Sequence, residues 1–531
     1  MADIILTTLN ARYIHSAFGL RYLKANMAEL ASATHIEEFV IDTRPIDIVE
    51  RLLSLNPRIV GLGIYIWNTR QSAELVALLK SVAPQITVVL GGPEVSHEWE
   101  RQAIVTDADY LITGAADAAF CQLCRRLLDH RPPPQKVIHA PPVPLNTLKL
   151  PYTLYSDDDI AHRVIYVEAS RGCPFKCEFC LSALDKTALP FDIDMFLAEM
   201  DSLLQRGARH FKFVDRTFNL NTAIGVRILS FFLARMDPDL FLHFEVIPDR
   251  LPDKLKAVIA RFPPGSLQFE IGIQSFSPEV QALISRRQDN AQTKANLTWL
   301  REHSHAHLHT DLIAGLPGED LASFARGFDQ LAALNPHEIQ VGILKRLRGT
   351  PILRHTDVYQ MRYNPYPPYN ILSTRDMNFH TLQRLNRFAR YWDMVANSGR
   401  FGHSKALLLG DSPFERFMTF SDWLYRATAQ THKIALKRLF QLVYRGLTEH
   451  LGVLRDDAEA ALQRDYAQSG LKGAAPFTAT ATNAVNATAI TPSKSKTASR
   501  QTRHLSDPPA SPPNAVDARP TTRQRLPNRM K

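Results

Sequence analysis

At 531 residues, with 45 % apolar and 22 % charged, the chain exceeds one ordinary core, and its length suggests about three domains. The net charge of +9 resembles a nucleic-acid signal until it is located: residues 471–531 hold 4 Lys, 6 Arg and 2 Asp, a balance of +8, leaving about +1 elsewhere. No apolar run has membrane-helix length and the N-terminus shows no leader pattern, so no membrane partner and a cytoplasmic location are expected. Five cysteines, three of them within eight positions, suit a metal site in a reducing compartment better than a disulfide framework.

Residues 1–135 alternate β-branched runs with helical patterns, the strands being expected at 4–8, 38–41, 59–67, 86–90 and 110–113. Such alternation implies a doubly wound α/β sheet. A helix beginning near Phe18 puts Leu20, Leu23, Met27 and Leu30 on one stripe, as a helix covering a parallel sheet requires. Residues 136–160, entered through the prolines that start at Pro132, read as a linker.

Residues 161–355 carry a second series, with strands at 164–168, 211–215, 242–246, 267–273, 308–314 and 339–344 and helices between them. Six βα units point to a partial (β/α)6 barrel of the TIM type. From 356 to 468 the strand signal fades, and Leu382, Leu385, Phe388, Trp392 and Val395 recur at helical spacing, which predicts a helical extension. The basic stretch 469–531 has almost no large apolar residues and reads as disordered, with solvation rather than nucleic acid as its expected role.

The segment Ala169-Ser-Arg-Gly-Cys-Pro-Phe-Lys-Cys-Glu-Phe-Cys180 follows the first strand of the second series, at the end where parallel barrels place active sites. Three closely spaced thiolates can wrap a 4Fe-4S cubane, which takes four cysteines when closed, so Cys173, Cys177 and Cys180 would leave one iron open for chemistry. The competing reading is a zinc knuckle, which wants four ligands and finds no fourth Cys or His nearby.

These residues resemble the radical S-adenosylmethionine superfamily, whose members carry this spacing with an aromatic residue, here Phe179, before the last cysteine. The resemblance implies a 4Fe-4S cluster that reductively cleaves S-adenosylmethionine to a 5′-deoxyadenosyl radical. It also implies a small-molecule substrate and a one-electron reductant such as flavodoxin or ferredoxin. Phe244-Glu-Val-Ile-Pro248 points to Glu245 as a cofactor contact. Ile271-Gly-Ile-Gln-Ser-Phe-Ser277 with Ile284-Ser-Arg286 points to Gln274 and Arg286, and the segment from His309 to Glu319 points to Asp311. One departure concerns the second strand, which usually ends Gly-Gly-Glu and here reads Phe213-Val-Asp-Arg-Thr-Phe-Asn219, with Asp215 the candidate side chain.

The loops beyond the first sheet resemble cobalamin-binding domains fused to radical enzymes and imply Asn10, His15, Trp67, Asn68, Gly91 and Gly92 as cobalamin contacts. No Asp-x-His-x-x-Gly segment is present, so no histidine is expected to ligate cobalt from below. The usual Gly-Glu-Gly-Glu is altered to Gly114-Ala-Ala-Asp117, which keeps open a Rossmann-like domain that packs on the barrel without cofactor. Cys121 and Cys124, three apart among Phe120, Leu123 and Leu127, read as buried small hydrophobes. Asn397-Ser-Gly-Arg-Phe401 and Tyr363-Asn-Pro-Tyr-Pro-Pro-Tyr-Asn370 resemble an uncharacterised subfamily with a C-terminal extension.

The expected function is therefore a radical S-adenosylmethionine enzyme, cobalamin-assisted, with methyl transfer to an unactivated carbon as its reaction. Two rivals are methylthiolation of RNA or protein, which usually brings three N-terminal cysteines and a terminal β-barrel, and a non-catalytic metal- or RNA-binding module.

Overall fold

The computed structural model describes residues 3–477 and 499–504. Six strands, β1 (Ile4–Asn10), β2 (Thr34–Val40), β3 (Ile59–Gly63), β4 (Thr87–Gly91), β5 (Tyr110–Thr113) and β6 (Val137–His139), form one parallel sheet in the order β2-β1-β3-β4-β5-β6. The order reverses between β1 and β3, and ligands of such sheets lie beyond the carboxyl ends near that switch. All seven residues of β1 are buried, as a central strand covered on both faces requires. The helices α1 (Phe18–Ala25), α2 (Pro45–Ser54), α3 (Thr69–Val82), α4 (Ala103–Asp107) and α5 (Ala119–Leu128) supply that cover.

Three details differ from the sequence expectation. The second strand, expected at 38–41, spans Thr34–Val40. The third strand ends at Gly63 rather than at 67, because Asn68 turns the chain there, its Oδ1 accepting from Tyr65 N at 2.8 Å. The stretch expected to begin the linker contributes β6, a three-residue edge strand between the prolines; Pro has no ladder N–H but tolerates a sheet edge.

After α6 (Asp157–His162), with its Ser156/Asp159 capping box, comes β7 (Ile165–Val167). A two-residue antiparallel ladder, β8 (Ser170–Arg171) with β9 (Leu189–Pro190), closes the cysteine loop like a drawstring. There follow α7 (Ile193–Gln205), β10 (His210–Phe213), α8 (Thr222–Leu233), β11 (Phe241–Val246), α9 (Asp253–Ile259) and β12 (Leu267–Gln274). Next are α10 (Pro278–Leu283), α11 (Asn290–His303), β13 (His307–Ala314), α12 (Leu321–Ala333) and β14 (Glu338–Ile343). The second sheet is parallel throughout, in the order β14-β13-β12-β11-β10-β7, so β14 and β7 remain edges and the barrel is incomplete.

The C-terminal region opens with the short pair β15 (Arg362–Tyr363) and β16 (Ile371–Ser373) and continues as α13 (Phe379–Met394), α14 (Gly402–Leu409), α15 (Pro413–Thr428), α16 (Leu436–Arg445) and α17 (Arg455–Gln468). It shares the barrel's core: Phe328 of α12 meets Trp392 of α13 edge-on at 4.8 Å, and Phe388 and Phe417 pack on the same indole. Within the stretch expected to be disordered, residues 499–504 form α18 (Ser499–His504); residues 478–498 and 505–531 lie outside the described set. Among the described residues no helix is long and apolar enough to cross a membrane.

Buried ion pairs join the first domain to the barrel. Arg21 of α1 pairs with Glu38 of β2 at 2.6 Å and with Asp159 of α6 at 2.8 Å, and Arg163 reaches Glu38 at 3.0 Å. On the far side Arg348 pairs with Glu94 at 2.8 Å, and Tyr369 donates to the same carboxylate at 2.7 Å.

Candidate active site

The cysteine loop is built by backbone economy. Gly172 sits at φ +93°, and a Cβ there would meet Thr187 Oγ1 at 2.6 Å and Thr187 O at 2.8 Å, so the two arms of the loop can close only on glycine. Cys173 N donates to Asp185 O at 2.9 Å, and Cys180 N donates to Cys177 O at 3.1 Å. Glu178, between the last two cysteines, is buried and points away from them. It accepts from Ser285 Oγ at 2.5 Å, lies 2.9 Å from His355 Nε2 and pairs with Arg354. Its own N–H and carbonyl join Ile284 O and Ile352 N, so the loop is tied to the end of α10 and to the segment that follows β14.

Cys173, Cys177 and Cys180 line one cavity of ≈ 250 Å³ at the carboxyl ends of the barrel strands. Among the described residues no group of three His, Cys, Asp or Glu could hold a single metal ion. Thiols around one shared cavity suit a cluster, whose cysteines bind different irons, rather than a one-ion zinc knuckle. Burial pushes the Cys173 and Cys177 thiols up, while Arg286 Nη1, 3.7 Å from Cys177 Sγ, acts in the opposite sense.

Phe179, Glu245, Gln274, Arg286 and Asp311 line the same cavity. Gln274 ends β12 at φ +70°, beside a register shift, and folds back over Gly272; any Cβ at 272 would collide with that amide. Arg286 donates to Gly272 O and, through Nε, to Gln288 Oε1 at 3.0 Å. Gln274 Oε1 and Asp311 Oδ1 are buried acceptors with no hydrogen-bond donor, the latter in an ion pair with His309 Nε2 at 3.5 Å. Burial raises the Asp311 and Glu245 carboxyls above the usual range.

Asp215 corrects the sequence expectation. It lies outside this cavity: its carboxylate accepts from Ala169 N at 3.0 Å and Ser170 Oγ at 2.6 Å, holding the strand end that leads into the cysteine loop. Complete burial pushes its carboxyl up to about 7. The neighbouring Arg216 lines the cavity instead, its Nη1 donating to both Glu245 oxygens at 2.6 and 2.9 Å. Glu270, also in the wall, lies 3.1 Å from His243 Nε2 and 3.3 Å from Lys212 Nζ, which hold its carboxyl below the usual range against its burial. Neither Arg216 nor Glu270 was singled out from sequence, although strand alternation from Asp311 and Glu245 marks Glu270 as inward-facing.

A second cavity, of ≈ 360 Å³, opens at the carboxyl ends of the first sheet, between β3 to β5 and the helices α1 and α5. Gly91 and Gly92 line it. Gly92 is at φ +106°, and a Cβ would run into the Ile64 backbone. The other four expected contacts do not line it. Asn68 is buried, its Nδ2 donating to Thr8 Oγ1 at 3.1 Å and Leu9 O at 3.2 Å; Asn10 Nδ2 donates to Glu38 Oε2 at 2.6 Å; and His15 Nδ1 lies 2.8 Å from Tyr166 Oη. Trp67 stacks on the wall residue Tyr65 at 4.5 Å. Asn68 thus ties its turn to β1, Asn10 joins β1 to β2, and His15 joins the first domain to β7, so these hydrogen bonds serve the fold.

The slot itself comes from small residues the sequence reading passed over. On β3, Gly61 and Gly63 both line it, and Gly61 leaves room that Phe120 enters, since a Cβ there would meet Phe120 Cζ at 2.8 Å. Paired glycines inside a strand are the signal that could have found them. A narrow apolar slot walled by glycines accepts a long flat group, so these residues fit a cobalamin tail. Cys121 and Cys124 are buried in the adjacent core, as expected.

Comparison with known proteins agrees with this geometry. Residues 4–124 match the B12 binding domain, residues 167–331 the Radical SAM superfamily, and residues 357–509 the family described as Protein of unknown function (DUF4080). The chain is 25 % identical over 319 residues to the 2-(S-pantetheinyl)-carbapenam-3-carboxylate methyltransferase of Streptantibioticus cattleyicolor, covering 53 % of this chain and 46 % of that protein. It is 22 % identical over 329 residues to the cobalamin-dependent radical SAM methyltransferase TokK of Streptomyces tokunonensis, covering 55 % and 47 %. The chain thus spans about half the length of these curated relatives. The structure of TsrM from Kitasatospora setae with cobalamin and a [4Fe-4S] cluster aligns with a TM-score of 0.57 at 15 % identity, over 89 % of this chain and all of that one, which shows a shared fold. The cofactor set typical of such enzymes is a 4Fe-4S cluster, S-adenosylmethionine and cobalamin. With its three-cysteine cavity at the barrel mouth and its glycine-walled slot in the first sheet, the chain belongs to the B12-binding radical SAM enzymes and carries a C-terminal DUF4080 region.

Proposed function

We propose that this enzyme is a methyltransferase that acts on an unactivated carbon of a small molecule. The supporting observation is that one short segment serves both cavities: Glu168 and Arg171 line the slot of the first domain, and Cys173, two residues on, lines the cluster cavity. A substrate at that junction would meet both cofactors. When bound, the cluster and S-adenosylmethionine supply reductive hydrogen abstraction, and cobalamin supplies methyl-carrying chemistry.

The chain's own groups orient and enclose. Cys173, Cys177 and Cys180 would hold the cluster. Arg286 would pair with the carboxylate of S-adenosylmethionine, while Gln274 and Asp311, which line the same cavity, would take its hydroxyl or ammonium donors. Arg216, whose Nη1 donates to both Glu245 oxygens, opposes the rise that burial imposes on that carboxyl. Phe175 and Phe179 add apolar wall and exclude water. Flavodoxin or ferredoxin would deliver the electron.

The test is anaerobic reconstitution followed by a visible spectrum and an assay for S-adenosylmethionine cleavage under reduction. Iron–sulfur absorption with corrinoid bands and cleavage abolished in Cys177→Ala are expected. Cluster bands without corrinoid uptake would remove methyl transfer, and cleavage surviving in Cys177→Ala would remove the radical mechanism.

A further inference from the structure

The turn Asn397-Ser-Gly-Arg400 takes no part in either cofactor cavity, yet it receives the helix α18. Asn397 O accepts from Arg500 Nε at 3.0 Å and lies 3.1 Å from His504 Nε2, and Ser398 O accepts from Arg503 Nε at 2.7 Å. Gly399 sits at φ +65°, and a Cβ there would meet Arg503 Cβ at 2.9 Å, so only glycine lets α18 approach this closely.

Beside that contact lies a third cavity, of ≈ 330 Å³, into which Arg390, Arg400, Lys433, Arg500 and Arg503 converge; Asp393 is the one acid among its lining residues. Asp393 is already engaged, by Arg500 at 2.8 Å and Arg390 at 3.6 Å, and Arg500 also reaches Glu338 at 2.9 Å. Among the described residues neither Arg400 nor Lys433 has a carboxylate partner. Burial and the charges of Arg400 and Arg500 hold the Arg503 guanidinium below the usual arginine range, the direction expected of like charges pressed together.

We propose that this cavity is a binding site for a small phosphate-bearing anion with two or more negative charges, of the diphosphate class. Guanidinium forks match phosphate oxygens two at a time, and a multiply charged anion offsets several converging cations at once. Two of the five cations come from α18, so the site is complete only with that helix seated, and the anion stabilises the docking of α18 against the turn by mass action. This reading is independent of the cofactor chemistry.

Isothermal titration of inorganic pyrophosphate into the full-length protein tests it, at about 0.15 M salt so that diffuse surface attraction is screened. One saturable site is expected. Its affinity should fall at least about tenfold when Arg400→Ala and Lys433→Ala are combined, since each removes a charged donor to the anion. Gly399→Val, which leaves every charge in place and obstructs α18, should weaken binding by a similar factor. No saturable heat with the wild-type chain, or equal affinity in the charge-deleted protein, overturns the proposal; unchanged binding in Gly399→Val overturns the part assigned to α18.

Discussion

Asp215 and Arg216 show how one position decides chemistry. Both follow β10, yet Asp215 turns inward to the backbone of Ala169 while Arg216 faces the cavity. Because burial raises the Asp215 carboxyl from its ordinary value near 4 to about 7, the folded state holds its proton more tightly than the unfolded chain does. Stability carried by this group is therefore full below about pH 4 and falls as pH rises through about 7. Asp215→Asn should flatten that part of the profile, read from melting temperatures between pH 4 and 8; an unchanged slope would show that Asp215 titrates normally. At the cavity itself, Asp311→Asn replaces one acceptor oxygen by an amide donor facing the same donors. Binding of S-adenosylmethionine, followed by equilibrium dialysis, should weaken about tenfold, equivalent to about 1.4 kcal/mol. Equal affinity would detach Asp311 from the cofactor.

The cysteine loop is legible as a motif and illegible as a fold. Spacing alone announced three thiolates at one place, but their support comes from afar: Ser285 and His355, 107 and 177 residues from Glu178, hold the loop's buried carboxylate. Glu178→Ala leaves those donors without an acceptor, which should destabilise the protein by about 1–3 kcal/mol and lower the iron retained per chain after reconstitution. Iron content and urea midpoint both matching the wild type would show the anchor to be dispensable. The loop also depends on Gly172; Gly172→Val should impair cluster assembly while barrel secondary structure, read by circular dichroism, persists.

Across the whole molecule, the domains meet through charge as much as through apolar surface. Arg171, on the strand that enters the cysteine loop, pairs with Asp117 of the first domain at 3.2 Å and with Glu168 at 2.6 Å, and its guanidinium lies over the Tyr22 ring at 4.8 Å. The altered segment Gly114-Ala-Ala-Asp117 thus keeps one acid, and that acid grips the barrel. Arg171→Met should destabilise by about 3–5 kcal/mol, because two buried carboxylates lose their cation, and should lower corrinoid uptake by loosening the slot wall. A urea midpoint equal to that of the wild-type protein would contradict this account.

Sequence by itself determined the two α/β sheets, the helical C-terminal region and the place where three cysteines meet, because strand alternation, helical stripes and cysteine spacing are local patterns set by backbone period and chain reach. Tertiary structure alone decided which polar residues face a cavity. Asn68, Asn10, His15 and Asp215 carry the right chemistry near the right strand ends, but backbone groups claim the hydrogen bonds of Asn68 and Asp215, and Glu38 and Tyr166 claim those of Asn10 and His15. Arg216 and Glu270 take places at the active site, and Gly61 and Gly63 shape the slot, through contacts with residues distant in the chain. Likewise α18, compositionally part of a disordered tail, is held by a glycine turn a hundred residues earlier, a pairing that no local pattern encodes.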